Sequence, residues 1–546
     1  MKVLLIFPPQ AQPFLPHLAL PSLAAVLKKA GADVVQRDYN LESYEYFLSP
    51  EQLVKAGVSE FIANQIDDVK KSLRTGNDYF LSSDYYGAIS VLQEYLKYIS
   101  RGYRGVDLTL KDYTTRYSNS KMEDILKAVN DKNGNLYIEF FEKKMQEIQD
   151  IKPDVVGISV AWLSQLIPGF TLSNMIKKRF PDIHITMGGS MIGHLSHYLK
   201  YKRKMFSLVD SFLPYEADGS FIQLVRTLEK GGNLSEVPGL IYLQKKKVKS
   251  SKPEIPGDLN ALPTPDFDGL MLDKYYSPQV YLPISASRGC YWSKCKFCTH
   301  HLSGSHFRQK KAEKVFKEMN DLNERYGCKD FYFVDDAFPP ETARKLAIMI
   351  ANDNKPYRWV AEFRAEKIMD REYFDTLYRG GCRLVLFGLE SYCQRILDRM
   401  DKGWKRETAA EVIRNCSDAG IKTWVFFFLG FPGERRYEAK QTLKFIINNR
   451  QYIDMVAGGR FVLTRDSMVH KNPEEFSIDK YQDENEEDLQ ITYPYWVREG
   501  INEEDVEELL ELFRRDSRVQ KFLEPFVAEP HLLYLRKSCF TKKETK

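Results

Sequence analysis

Cysteine is scarce: eight residues in 546, too few to staple a chain of this length with disulfides. Long apolar runs are missing as well. The densest, 424–431, falls far short of the roughly 20 residues needed to cross a bilayer. The start of the chain offers five apolar residues, Val3 to Phe7, before Pro8-Pro9, too short for a signal-peptide core, and reads as a buried strand. Charge of one sign is lacking too, since 79 Lys and Arg stand against 75 Asp and Glu for a formal net charge of +4. So thin a surplus gives no reason to expect a polyanionic partner. No fixed-period repeat, no low-complexity tract and no G-x-G-x-x-G phosphate loop occurs. These absences argue against secreted scaffolds, membrane spans and nucleic-acid binding, and point to a soluble, cytoplasmic protein. The 43% hydrophobic and 28% charged composition is that of an ordinary folded chain with room for two to four domains.

Strand-like apolar runs alternate with amphipathic helical runs, the pattern of an α/β protein with parallel sheets. The first block predicts strands at 3–7, 33–36, 154–160, 184–187 and 211–214, with helices at 18–30, 166–178 and 220–229. This is a doubly wound, Rossmann-like sheet over 1–244, carrying a helical insertion at about 40–151. From 245 to 281 the pattern fails. Lys245-Lys246-Lys247 gives way to Pro253, Pro256, Pro263 and Pro265, which reads as a solvated turn and a linker. A second block over 282–460 predicts strands near 284–287, 331–334, 359–363, 384–387 and 423–428 with helices between them, a partial or full (β/α) barrel whose chemistry sits at the C-terminal ends of its strands. The remainder, 461–546, is mixed and includes a helix from 503 with Asn502 as its N-cap.

Three of the eight cysteines lie within nine residues, in Ser287-Arg288-Gly289-Cys290-Tyr291-Trp292-Ser293-Lys294-Cys295-Lys296-Phe297-Cys298. The spacing is C-x4-C-x2-C, directly after the first strand of the second block. Three thiolates on one short loop can hold a soft metal or an iron–sulfur cluster. They are one ligand short of closing a four-iron cube, and the open iron could chelate a small molecule through an amine and a carboxylate. The thiols could instead be zinc ligands in a Cys3His site completed by His300, His301 or His306, or unrelated reduced thiols. A zinc site leaves the motifs downstream unexplained, and chance does not account for so dense a cluster.

With the motifs that follow, the sequence resembles a radical S-adenosylmethionine (SAM) enzyme, specifically the subgroup with an N-terminal cobalamin-binding domain. The resemblance covers roughly residues 1–250 and 280–460. The family's usual spacing is C-x3-C-x2-C, so this chain carries one extra residue between Cys290 and Cys295. The resemblance implies that Cys290, Cys295 and Cys298 ligate a [4Fe–4S] cluster whose open iron binds SAM. It also implies SAM contacts from Asp335 and Asp336 after the second barrel strand, Arg364 after the third, Glu390 and Ser391 after the fourth, and Gly430 after the fifth. Met400-Asp401-Lys402-Gly403 is a further family landmark. In the first block the resemblance implies a cobalamin whose nucleotide tail runs past Ser159, Gly188 and Gly189. The D-x-H-x-x-G signature that gives some cobalamin proteins a cobalt ligand is absent, and His184 reads as structural.

The activity so implied is one-electron cleavage of SAM to a 5′-deoxyadenosyl radical and, with cobalamin, C-methylation of a small-molecule or peptide substrate in natural-product or peptide modification. An electron donor such as flavodoxin or ferredoxin is implied as partner. The alternatives are a radical SAM enzyme that ends in rearrangement, cyclisation or epimerisation without methyl transfer, and a zinc-stabilised binding protein without catalysis.

Overall fold

A computed structural model describes residues 1–74, 82–254, 257–299, 306–482 and 488–520. Two compact units make up the chain, the first Met1–Val280 with a short return at 488–491, the second built on residues from Tyr281 onward. Among the described residues no helix is long and apolar enough to cross a membrane.

The sheet of the first unit has seven strands: β1 (Lys2–Phe7), β2 (Asp33–Asp38), β3 (Val155–Ser159), β4 (His184–Gly188), β5 (Ser211–Leu213), β6 (Ile241–Gln244) and β7 (Lys247–Ser250), in the order β2-β1-β3-β4-β5-β6-β7. The first five run parallel, and β6 and β7 add an antiparallel edge. Val3, Leu4, Leu5 and Ile6 of β1 are fully buried, as an inner parallel strand covered on both faces demands. The order reverses direction between β1 and β3, and in open α/β sheets the crevice outside the carboxyl ends of the strands at such a point takes ligands.

The insertion is helical, running from Tyr39–Phe47 through Ser82–Ser100 to Tyr137–Ile151, and it packs on an aromatic cluster of Tyr39, Phe47, Tyr137, Phe140 and Phe141. Lys245 and Lys246, both with positive φ, form the turn of the β6–β7 hairpin. The proline-rich stretch that follows packs onto the first unit. The Gln36 amide donates to the carbonyls of Asp266 and Asp268, the Tyr275 hydroxyl to Asp38 and the Tyr276 hydroxyl to Glu45. Prolines exclude regular elements there, while buried tyrosines give the segment its anchors.

The second unit is built on six parallel strands in sequential order: β8 (Tyr281–Ile284), β9 (Asp330–Phe333), β10 (Arg358–Phe363), β11 (Cys382–Glu390), β12 (Lys422–Leu429) and β13 (Met455–Arg460). Helices Ala312–Tyr326, Pro340–Asn352, Arg371–Arg379, Arg406–Asp418 and Arg436–Asn448 make the crossovers. This is the partial barrel. The sixth strand, Met-Val-Ala-Gly-Gly-Arg, carries none of the strand signals of its neighbours. Its Gly458 is needed for packing, because a Cβ there would lie 2.1 Å from the Phe427 ring on β12. Helix Glu503–Arg515 starts at Asn502, whose side chain caps Asp505 N.

One backbone position in the first unit is fixed by contact. Gly189, at φ +101°, follows β4, and a Cβ there would stand 2.3 Å from the Val160 carbonyl oxygen. Gly189→Ala is therefore expected to cost about 1–3 kcal/mol, read as a lower urea midpoint of the full chain. A midpoint equal to the parent's would show that the backbone there can yield.

Candidate functional site

The cysteine loop leaves the C-terminal end of β8. Ser287–Arg288 first pairs antiparallel with Arg308–Gln309, and Gly289 turns the chain with φ +76°. Cys290, Cys295 and Cys298 then follow, all partly buried and none in a disulfide. The four-residue spacer closes on itself, since Ser293 has a positive φ and its hydroxyl donates to the Cys290 carbonyl. Cys298 N donates to Cys295 O at 3.1 Å, a tight turn between the last two thiols. His300 and His301 lie outside the described residues. Among the described residues no three His, Cys, Asp or Glu side chains gather as a site for a single metal ion.

A neighbouring segment, 400–404, holds this loop with two carbonyls and the adjacent Arg364 with the next. Met400 O accepts from Lys296 N (2.9 Å), Asp401 O from the Trp292 indole (2.8 Å) and Lys402 O from Arg364 Nη2 (2.7 Å). Asp401 and Gly403 both have positive φ, and a Cβ on Gly403 would fall 1.9 Å from the Trp292 ring. Glycine is thus what lets the indole lie against the segment. On its other side the loop is held by Val469 N, which donates to Lys296 O at 3.1 Å.

Two buried cations face the loop. Arg364, 5% exposed, follows β10. Its guanidinium lies 4.5 Å from the centre of the Trp292 ring and 4.9 Å from that of Trp404, its Nε meets Glu366 at 3.3 Å, and its Nη1 lies 3.9 Å from Cys295 Sγ. Lys402, 6% exposed, pairs with Glu390 at 2.9 Å. Burial works against charge on Lys402, yet Glu390 and Cys295 together hold the ammonium above its ordinary value. Burial pushes the Cys295 thiol up, against the pull of Lys402 and Arg364. A metal would remove that proton, and the two cations would then stabilise the thiolate. Of the loop's aromatics, Tyr291 stands edge-on to Phe307, Phe297 edge-on to Phe428, and Trp292 lies under the Arg364 guanidinium.

The other residues expected to touch SAM have visible structural employment. Asp335 is 4% exposed, and its carboxylate accepts from Ala286 N (3.0 and 3.1 Å), from Ser287 N and from the Ser287 hydroxyl (2.5 Å). It ties down the backbone from which the cysteine loop springs. Burial nonetheless pushes the carboxyl up to about 6. Asp336 beside it is half-buried. Glu390, with φ +60° at the end of β11, turns its carboxylate to Lys402. Ser391 is fully buried against Thr442 and accepts from Cys393 N. Gly430 N donates to Glu434 Oε2 at 2.6 Å, and its carbonyl accepts from the Tyr495 hydroxyl at 2.9 Å. The structure brings Cys295, Arg364 and, through Lys402, Glu390 together, and sets Ser391 and Gly430 into the framework.

Trp404 and Glu366 carry no role that the sequence shows, and Trp292 and Lys402 are visible there only as members of the cysteine loop and of the Met400–Gly403 landmark. Glu434 escaped notice too. It is 1% exposed, its Oε1 has no hydrogen-bond partner among the described residues, and burial pushes it up to about 8.

In the first unit, the ends of β1 and β3 carry an aromatic shelf. His17 stacks on Phe7 at 4.7 Å, and Trp162, 47% exposed, stands edge-on to both. Gln165 locks the shelf by accepting from Ala161 N and Trp162 N and donating to Pro8 O. Burial lowers His17 to about 4, so the imidazole is neutral. Ser159 is buried, and the Cβ position of Gly188 is closed by the Leu213 carbonyl at 2.7 Å. Close backbone packing accounts for both glycines. His184 shares a 2.9 Å hydrogen bond with Ser211, which fits a structural role.

Two outcomes are expected. Asp335→Ala leaves three buried donors without an acceptor, each worth about 1–3 kcal/mol. It should lower the denaturation midpoint clearly, with Asp335→Asn falling between. For Glu434, a carboxyl whose folded value stands above its ordinary 4.5 contributes stability that is full below 4.5 and lost as pH rises through about 8. Between pH 5 and pH 8.5 the parent should therefore lose more than about 1.4 kcal/mol relative to Glu434→Gln. Parallel pH profiles of the two denaturation midpoints would contradict this.

Residues 284–446 match the model of the Radical SAM superfamily. An uncharacterized methyltransferase of Pyrococcus horikoshii is 29% identical over 55% of this chain and 65% of its own length. Cytidylyl-2-hydroxyethylphosphonate methyltransferase of Streptomyces wedmorensis is 24% identical over 52% and 59%. The match thus spans less than two thirds of either relative. Among solved structures, the radical SAM methyltransferase TsrM of Kitasatospora setae, with cobalamin and a [4Fe–4S] cluster bound, superposes with a TM-score of 0.61 at 14% identity, covering 96% of this chain and 92% of its own. The cobalamin-dependent radical SAM enzyme OxsB gives 0.62 at 16% identity over 94% and 66%. At such identities the likeness speaks for the fold. Residues 284–446 are thus a radical SAM domain, in a chain with the fold of the cobalamin-binding radical SAM enzymes.

Proposed function

We propose that the chain is a cobalamin-dependent radical SAM C-methyltransferase of the cytoplasm, acting on a small molecule or a peptide with an electron donor of the flavodoxin or ferredoxin kind. The observation that carries this reading is the C-x4-C-x2-C loop at the end of the first barrel strand, held by the Met400 and Asp401 carbonyls and faced by two buried cations. Cys290, Cys295 and Cys298 would hold a [4Fe–4S] cluster, and their donor set suits it: three partly buried thiols, soft ligands with positive charge beside Cys295 to balance a thiolate. When bound and reduced, such a cluster supplies one electron to cleave SAM. The chain's own part is to fix the thiols and exclude water. Asp335 anchors the loop's origin, Lys402 and Glu390 form its charged wall, and the half-buried Asp336 beside Asp335 would meet SAM.

In the first unit the aromatic shelf of Phe7, His17 and the exposed Trp162 lies at the carboxyl ends of β1 and β3, where ligands bind in such sheets. It suits the face of a corrin, and cobalamin, when bound, would supply the methyl carrier. Ser159, Gly188 and Gly189 would flank its tail.

The test is anaerobic reconstitution with iron, sulfide, dithionite and SAM, assayed for 5′-deoxyadenosine. The parent should form it and Cys295→Ala should lose it entirely. Hydroxocobalamin retained on purification supports methyl transfer. Its absence, with 5′-deoxyadenosine still formed, favours rearrangement, cyclisation or epimerisation. Zinc in place of iron in anaerobically purified protein would overturn the reading.

A further inference from the structure

Arg364 was expected to meet a carboxylate of SAM or substrate, but its guanidinium is already committed. Nη2 is on Lys402 O, Nε on Glu366, and Nη1 points at Cys295 Sγ. Two indoles, Trp292 and Trp404, lie within stacking reach of the guanidinium. Trp292 is itself fixed by its bond to Asp401 O and by its contact with Gly403. A guanidinium stays charged at any accessible pH and presents planar, forked donors, so aromatic neighbours can fix where its N–H groups point. Every one of these contacts directs one N–H toward one of three candidate cluster ligands.

We propose that Arg364 sets the reduction potential of the cluster by hydrogen-bonding the Cys295 thiolate, with Trp292 and Trp404 holding it in place. The inference rests on the cluster reading above. Hydrogen bonds to ligating sulfur and nearby net charge are the levers by which a protein tunes such a cluster. Reduction adds one negative charge to a cluster already carrying three thiolates. Positive charge beside a thiolate favours the reduced form and raises the potential. Besides Arg364, Lys402 and Glu390 act on Cys295, Glu366 lies against Arg364, and of the two lysines that flank Cys295 in the chain Lys294 is exposed and Lys296 is paired with Glu475. Lys402 and Glu390 neutralise one another at 2.9 Å. Glu366 opposes Arg364, but its side chain is 32% exposed against 6% for Arg364, so water screens the acid far more than the base. A net positive charge remains on the buried side. Arg364 is therefore a positioning and tuning residue for the cluster and does not contact SAM.

The experiment is a redox titration of the anaerobically reconstituted full chain, without SAM, followed by electron paramagnetic resonance of the reduced cluster. At the potential where half the parent's cluster is reduced, Arg364→Met should show a reduced-to-oxidised ratio at least tenfold lower, a fall of about 59 mV for one electron. Arg364→Lys, which keeps the charge and loses the fork, should lie between. An unchanged ratio in Arg364→Met, with iron and sulfide content equal to the parent's, would overturn the inference and leave the cluster reading intact. So would failure of both variants to load a cluster at unchanged circular dichroism, since Arg364 would then serve assembly. A parent chain that forms no cubane would overturn the cluster reading and this inference together.

Discussion

Three peptide carbonyls in a row, those of Met400, Asp401 and Lys402, hold the cysteine loop and the arginine beside it. Successive carbonyls of an extended chain point to opposite sides, so one short segment seldom serves three donors around one site. The left-handed conformations at Asp401 and Gly403 make it possible here, and the missing side chain at Gly403 makes room for the indole that takes the middle carbonyl. Each bond is worth about 0.5–1.5 kcal/mol net. Their value lies in direction more than in energy, because they fix a loop that the sheet itself does not hold.

The strand ends around that loop divide their labour. Asp335 spends its carboxylate on the backbone at 286 and 287, Ser391 on the cap at Cys393, and Glu434 on Gly430 N. These are polar residues where a barrel keeps its chemistry, and they act as framework. Backbone that leaves a sheet exposes N–H groups, and a buried carboxylate satisfies several at once. What remains directed at Cys295 is cationic, Arg364 and Lys402, with Trp292 and Trp404 packed against those cations. That balance suits a site that must accommodate negative charge in a water-poor pocket.

Much of this was readable in the amino-acid order. The alternation of apolar runs and amphipathic helices located the parallel strands β1–β5 and β8–β12 to within a few residues, because parallel strands buried on both faces are nearly continuous in Val, Ile, Leu and Phe, whereas the antiparallel edge β6–β7 lacks that apolar run and was not legible. Cys290, Cys295 and Cys298 announced themselves by density. Strand β13 did not, since Gly458 and Gly459 hide a strand whose place is set by the Phe427 ring opposite. The stretch 245–281 resembled a linker because prolines interrupt it, whereas tertiary hydrogen bonds from Gln36, Tyr275 and Tyr276 pin it to the first unit. The employment of Asp335 and Arg364 could not be read at all. Their partners lie 49 and 38 residues away in the chain, and pattern along a chain carries no record of such pairings.

Lys296 is gripped from both sides, its N–H by Met400 and its carbonyl by Val469, and it stands between the second and third thiols. Nothing in that half of the loop has slack. The half between Cys290 and Cys295 is different, for there the chain doubles back through a left-handed serine whose hydroxyl returns to Cys290 O. An additional residue can be swallowed by that fold-back while the thiols on either side keep their places. The longer first spacer of this chain is therefore taken up in the turn at Ser293, beside the anchored Trp292, while the Cys295–Cys298 interval is held at its centre from both sides.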